Sequence, residues 1–168
     1  MEFKTFETKD FSGNPFDMLD KEWMLITAGK PGDYNTMTAS WGGFGFIWGK
    51  PVAMAVVRHS RYTLEFMDNN AYFTYAFFPQ AYREALNLCG TKSGRDCDKA
   101  KEAGITPISI PGIDAVTFAE ARLTLVMRKI LHQDLAEQAF VDKATFAEHY
   151  ADGDIHRLFI GEIEQISK

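Results

Sequence analysis

The sequence predicts a mainly β fold: an antiparallel β-barrel with helices inserted in its connections. Three observations point there. Short runs rich in β-branched and aromatic residues, at residues 23–27, 51–57 and 71–78, read as strands. Helical patterns fall between some strands but do not alternate with them as a parallel βαβ architecture requires. No Gly-x-Gly-x-x-Gly follows a strand, which argues against a doubly wound dinucleotide-binding domain.

Taken in order, residues 1–13 read as a polar arm leading to a turn at Asn14-Pro15. Trp23, Met24, Leu25, Ile26 and Thr27 form an apolar strand, ended by the loop signals Gly29, Pro31, Gly32 and Asp33. Residues 37–41 are its expected neighbour. Residues 51–57 carry a proline only at their first position, where a missing amide donor is tolerated, and read as a central strand. A short helix over 61–69 follows, with Tyr62, Phe66 and Met67 on one face and Ser60 as its N-cap. After the strand at 71–78, Pro79 opens a helix over 80–88 that Gly90 is expected to stop. A second helix spans 96–103 and ends at Gly104. Alternation at Val116, Phe118 and Glu120, then Leu123, Leu125 and Met127, gives one or two strands reaching about His132. Residues 135–150 have mostly helical spacing with a break near Asp142, and a last strand covers 155–166. Six or seven strands are expected in all.

The 168 residues and 46% apolar content suit one domain with a sizeable core. Acidic residues outnumber basic ones, 23 to 18, so a nucleic-acid partner is not expected, although a local basic pocket for one phosphate is compatible with that balance. Neither a signal peptide nor a bilayer-spanning run is visible, so the expected setting is cytoplasmic, without membrane association. Cys89 and Cys97 are read as inert, partly buried thiols, and no histidine pair near them offers zinc-finger spacing.

The chemistry-bearing stretch runs from Tyr34 to Asp68. Asn35, Thr36, Met37, Thr38, Ala39, Ser40 and Trp41 supply small side chains and hydroxyls that let backbone amides approach the edge of a flat ring. Alternation puts Asn35, Met37 and Ala39 on one face and Thr36, Thr38 and Ser40 on the other. The competing reading is an edge strand with a polar outer face. Further on, Arg58, Ser60, Arg61, Tyr62 and Thr63 gather charge, hydroxyls and free amides at a helix start, as phosphate binding requires; a capped helix with solvated arginines is the alternative. A ring-holding segment followed by a phosphate-holding one suggests flavin mononucleotide (FMN).

Between them, residues 41–49 form a connector of four glycines and four aromatics, read as a ligand wall or a subunit interface, with a packed loop of structural role as the alternative. The loop Gly90-Thr91-Lys92-Ser93-Gly94-Arg95 lacks P-loop spacing, yet Lys92 with the Thr91 and Ser93 hydroxyls can embrace one phosphate; a solvated loop is the alternative. His132, His149 and His156 form no recognisable triad. His132 alone is placed near the expected pocket mouth.

Together these segments resemble the flavin reductase-like family with an FMN-binding split barrel, especially its flavoredoxin branch. The resemblance rests on residues 35–43, on Trp48-Gly49-Lys50-Pro51, on residues 58–63 with Phe66 behind them, and on Cys89-Gly90-Thr91-Lys92-Ser93-Gly94-Arg95-Asp96. It extends from about Trp23 to the final strand. It implies an antiparallel split β-barrel and a homodimer with FMN at or near the subunit interface. By the same likeness the ring lies against residues 35–41, and Arg58, Ser60, Arg61, Tyr62, Thr63 and Lys92 surround the phosphate. NADH or NADPH would then donate hydride, and the electrons would leave to free flavin, a redox protein or a small acceptor, with no side-chain acid or base required. An FMN electron carrier loaded by another reductase is the alternative. A barrel holding another planar ligand, such as haem, is a third.

Overall fold

Antiparallel pairing alone builds the sheet in the computed structural model, which describes residues 5–7, 9 and 11–167. Residues 1–4, 8 and 10 of the expected polar arm lie outside it. The strands are β1 (Thr5–Phe6), β2 (Met24–Lys30), β3 (Asp33–Ala39), β4 (Gly42–Ile47), β5 (Lys50–Arg58), β6 (Tyr72–Phe77), β7 (Pro107–Ser109), β8 (Val116–Phe118), β9 (Leu123–Asp134) and β10 (His156–Ser167). Between them run α1 (Pro15–Asp17), α2 (Thr63–Asn69), α3 (Arg83–Thr91), α4 (Lys99–Ala103) and α5 (Lys143–Tyr150). Their main ladder runs β3-β2-β6-β9-β10-β5-β4, with β1 added to β10 and a separate β7-β8 pair.

This order makes the barrel and splits it. β3 and β4 stand at opposite ends of the ladder, yet only Ser40 and Trp41 separate them in the chain. The sheet therefore curls until its two edges approach, and no ladder joins β3 to β4 among the described residues. The result is a split barrel.

Core packing explains why the strand runs read as continuously apolar. On β2, Met24, Ile26 and Ala28 enter the barrel interior beside Phe73, Tyr75, Phe77, Met127 and Phe159. Leu25 faces the opposite way, into a second cluster with Leu86, Cys89, Ile105 and Phe118 under α3 and α4. A strand buried on both faces has no polar face to show. Gly161 sits at a register shift in β10, where a Cβ would lie 2.7 Å from the Cβ of Met127.

Four expectations need correction. The aromatic and glycine-rich connector is strand β4, paired with β5 from Gly42↔Ala55 to Ile47↔Lys50; its backbone makes the ladder, with Phe44 packed against the barrel core and Phe46 exposed. Ser60 is not the N-cap of α2. That helix starts at Thr63 after Tyr62, without a side-chain cap. The helix after Pro79 runs through Gly90 to Thr91, because Gly90 lets it pass close to β3: a Cβ there would stand 3.3 Å from that of Thr38. The helix before Gly104 begins only at Lys99, where the Asp98 carboxylate accepts from the Lys101 amide. Asp142, by contrast, does mark the break, capping α5 through the Ala144 amide.

Candidate functional site

The split opens into a cleft of about 450 Å³. Met37, Thr38, Ala39, Ser40 and Trp41 form one wall, and Val56, Arg58, Ser60, Arg61 and His156 form the other. Since β3 ends the ladder, alternate amides along it point away from β2. Thr38 is fixed by donating to the Leu86 carbonyl at 2.5 Å, which ties the wall to α3.

A smaller cavity of about 90 Å³ adjoins the cleft and shares Met37, Ser60 and Arg61 with it. Tyr62, Thr63, Thr91, Lys92, Ser93 and Lys99 complete its lining. It therefore brings three cations and several hydroxyls together, and no carboxylate lines it. Arg61 is half-buried and donates to the Gly90 carbonyl at 2.8 Å; burial pulls its pKa below the usual arginine value. Lys92 pairs with Glu102 at 2.6 Å, which raises its pKa. Thr63 is buried and accepts from Asn35 Nδ2 at 2.7 Å.

Most residues singled out in the sequence meet here. Met37, Thr38, Ala39, Ser40 and Trp41 line the larger cleft; Ser60 and Arg61 line both cavities; Tyr62, Thr63 and Lys92 line the smaller one. Asn35 and Thr36 stand behind the wall instead. Thr36 shares a 2.8 Å hydrogen bond with the facing Thr27 hydroxyl, and Asn35 and Thr36 line a separate cavity of about 280 Å³. Arg58 reaches the larger cleft, but its guanidinium donates to the carbonyls of Asp154 and His149 at 2.7 and 3.0 Å, so it braces the turn before β10. Ser60 is committed too: its amide and hydroxyl both bind the Asp154 carboxylate.

His132 is the misplaced residue. It is exposed, stacks on Phe159 across the β9-β10 ladder, and lines none of the cavities described. The histidine of the cleft is His156, 6% exposed, with its ring 5.2 Å from that of Trp41 and Nδ1 3.0 Å from the Tyr150 hydroxyl. Burial, then the nearby Arg58 charge, pull its pKa down to about 4, so it is neutral near pH 7. Its place at the start of β10, two residues after Asp154, was the available signal. Lys99 was missed as well, and nothing in its local sequence marks it as buried. Both thiols are free; burial pushes that of Cys89 up to about 11, which fits an inert role.

No curated protein is significantly similar in sequence. Among solved structures, the FMN-binding domain of a flavin reductases-like enzyme from Shewanella baltica aligns with a TM-score of 0.70 at 18% identity, covering 98% of this chain and 76% of that one. A flavoredoxin from Methanosarcina acetivorans gives 0.68 at 22% identity over 88% and 68% of the two chains. An NADH:FAD oxidoreductase from Streptomyces globisporus gives 0.66 at 14% identity over 88% and 75%. Identities this low establish the shared fold alone. The family model for the flavin reductase like domain matches residues 19–168, nearly the whole described chain. With that match across barrel, cleft and basic cavity, this chain belongs to the flavin reductase-like family.

Proposed function

We propose that the protein is an FMN-binding oxidoreductase that takes hydride from a reduced nicotinamide and passes electrons to flavin or another acceptor. The observation that carries this reading is the pair of adjoining cavities: an open one walled by small residues and Trp41, and a small basic one reached past Met37, Ser60 and Arg61. A flat ring suits the first and a phosphate the second, and both have donors of the right kind.

When bound, the isoalloxazine supplies the hydride-accepting atom. The chain's share is to hold and orient it. Ala39 and Ser40 leave room beside the wall, outward amides of β3 offer donors to the ring edge, and Arg61 anchors the phosphate. His156, neutral and tied to Tyr150, contributes a hydrogen-bonded wall without adding charge. No side-chain acid or base needs to move a proton for hydride to arrive.

In the same reading a second copy of the chain covers the exposed aromatics at the split, giving a homodimer in a cytoplasmic setting. Phe46 is 73% exposed and Trp48 57% exposed near the turn of the β4-β5 hairpin, and Trp41, 47% exposed, precedes the other end of β4. Such a patch is unusual on a monomer.

The likeness to flavoredoxins supports a second reading, an electron carrier that a separate redox protein loads. Anaerobic stopped-flow mixing of the flavin-loaded protein with NADH or NADPH separates the two. Rapid bleaching near 450 nm, on the order of a typical turnover of about 10 s⁻¹, is the expected result. Bleaching only when a partner reductase is added would establish the carrier.

A further inference from the structure

We infer that Arg58 is a positioning residue of the ring cleft: it clasps the turn between α5 and β10 and so fixes His156 in the cleft wall. The mechanics rest on geometry alone, and the consequence for a bound ring rests on the flavin reading above.

Arg58 ends β5 and stands directly opposite His156, its antiparallel partner at the start of β10. Its guanidinium donates through Nη1 to the Asp154 carbonyl at 2.7 Å and through Nη2 to the His149 carbonyl at 3.0 Å. Those carbonyls bracket residues 150–153, where Gly153 takes a φ of 77°. The carboxylates of Asp152 and Asp154 lie 3.7 and 3.8 Å from Nη1. The Tyr150 ring centroid lies 5.6 Å from the guanidinium carbon. Tyr150 is thereby held where its hydroxyl meets His156 Nδ1 at 3.0 Å. On the other side the Trp41 ring stands 5.2 Å from that of His156 and 5.5 Å from that of His149. One planar fork therefore grips both ends of the turn at once, which a lysine ammonium, a point donor, cannot reproduce.

The same clasp governs the charge beside the cleft. His156 faces Arg58 from β5, Asp154 from the turn, His149 and Tyr150 from α5, and Trp41 from the segment before β4. Burial opposes its protonation most, Arg58 next, and His149 adds to them against the Asp154 carboxylate, which leaves the ring with a pKa of about 4. Without Arg58 the wall loses its brace, and His156 takes up a proton at higher pH. This role differs from phosphate binding, because a displaced ring wall weakens every flavin alike, with or without a phosphate.

Apoprotein of wild type, Arg58→Gln and Arg58→Lys tests the role, with His156 titrated by imidazole NMR and with FMN and riboflavin titrated by flavin fluorescence. In Arg58→Gln the His156 pKa should rise by roughly half a unit or more. FMN and riboflavin affinities should fall together by about 3- to 10-fold, the range for a lost hydrogen bond. Arg58→Lys, which keeps the charge and loses the fork, should recover most of the titration and little of the affinity. A merely structural brace would lower the melting temperature and leave His156 titrating as in wild type, and that result overturns the inference. Loss of FMN affinity alone, restored by lysine, would assign Arg58 to the phosphate and overturns it as well. If wild type binds neither flavin, the flavin reading fails, while the His156 titration still decides the clasp. Should Arg58→Gln not fold, Arg58→Lys decides: equal losses for both flavins support the inference, and no loss or an FMN-only loss overturns it.

Discussion

The Asp154 carboxylate holds both donors of Ser60, with Oδ1 3.0 Å from the backbone nitrogen and Oδ2 2.6 Å from Oγ. Burial raises the Asp154 pKa, but the Ser60 hydrogen bonds and the Arg58 charge outweigh it, and the net shift is downward. An anionic side chain therefore stands where an incoming phosphate would meet Ser60. Asp154→Asn should keep the shape, remove the charge, and tighten FMN binding several-fold with little change for riboflavin. Ser60→Ala should cost less than about threefold in FMN affinity, against about tenfold or more for Arg61→Ala. Isothermal titration of the three variants checks the order; a larger loss for Ser60→Ala would return Ser60 to the phosphate set.

His156 makes stability depend on pH. Its folded pKa, about 4, lies below the unfolded value of 6.5, so the folded state favours the neutral ring. That contribution is complete above pH 6.5 and is lost as pH falls from there through about 4. His156→Gln lacks it. The gap in Tm between wild type and variant should therefore shrink between pH 7 and 4, as followed by thermal circular dichroism; a constant gap would contradict the burial argument.

Trp48 and Gly49 link β4 to β5 with φ of 54° and 70°, a two-residue turn that favours Asn-Gly. A tryptophan held left-handed costs about 1–2 kcal/mol. Trp48→Asn should relieve that strain and, by removing an exposed ring, weaken the self-association proposed above. Light scattering should show dissociation at higher concentration than wild type, and melting under monomeric conditions should shift up by roughly 2–4 °C. A lower melting point in monomer would show that Trp48 packs within its own subunit.

Gly161 is required by contact. Any side chain there meets Met127 and Phe73 at 2.7 Å, and both belong to the barrel interior. Gly161→Ala should destabilise the fold by about 1–3 kcal/mol, read from the urea midpoint. No change would mean that the bulge relaxes freely.

Local chemistry announced much of this molecule and distance hid the rest. Apolar, β-branched and aromatic runs bounded by turn residues revealed β2, β5 and β6, alternation revealed β8 and β9, and the break near Asp142 was visible although its capping role was not named. Ser60 looked like a cap because Asp154, its actual partner, lies 94 positions further along. β4 escaped notice because a glycine-rich edge strand is defined by backbone pairing, which composition does not display. In the cleft, the segments that line it were legible, since neighbouring residues on one strand share a wall. His156 and Lys99 were not, because their burial depends on elements packed against them from elsewhere in the chain.

In the proposed function the flavin ring lies in the cleft between the end of β3 and the end of β5. Ala39 lines that cleft, whereas His132 lies outside it on the β9-β10 ladder. Titrating FMN into apoprotein of wild type, Ala39→Leu and His132→Ala tests the location directly. Affinity should fall about tenfold or more in Ala39→Leu, whose added carbons occupy the ring's place, and stay within about twofold of wild type in His132→Ala. Wild-type affinity in Ala39→Leu together with lost binding in His132→Ala would contradict the claim and move the ring elsewhere.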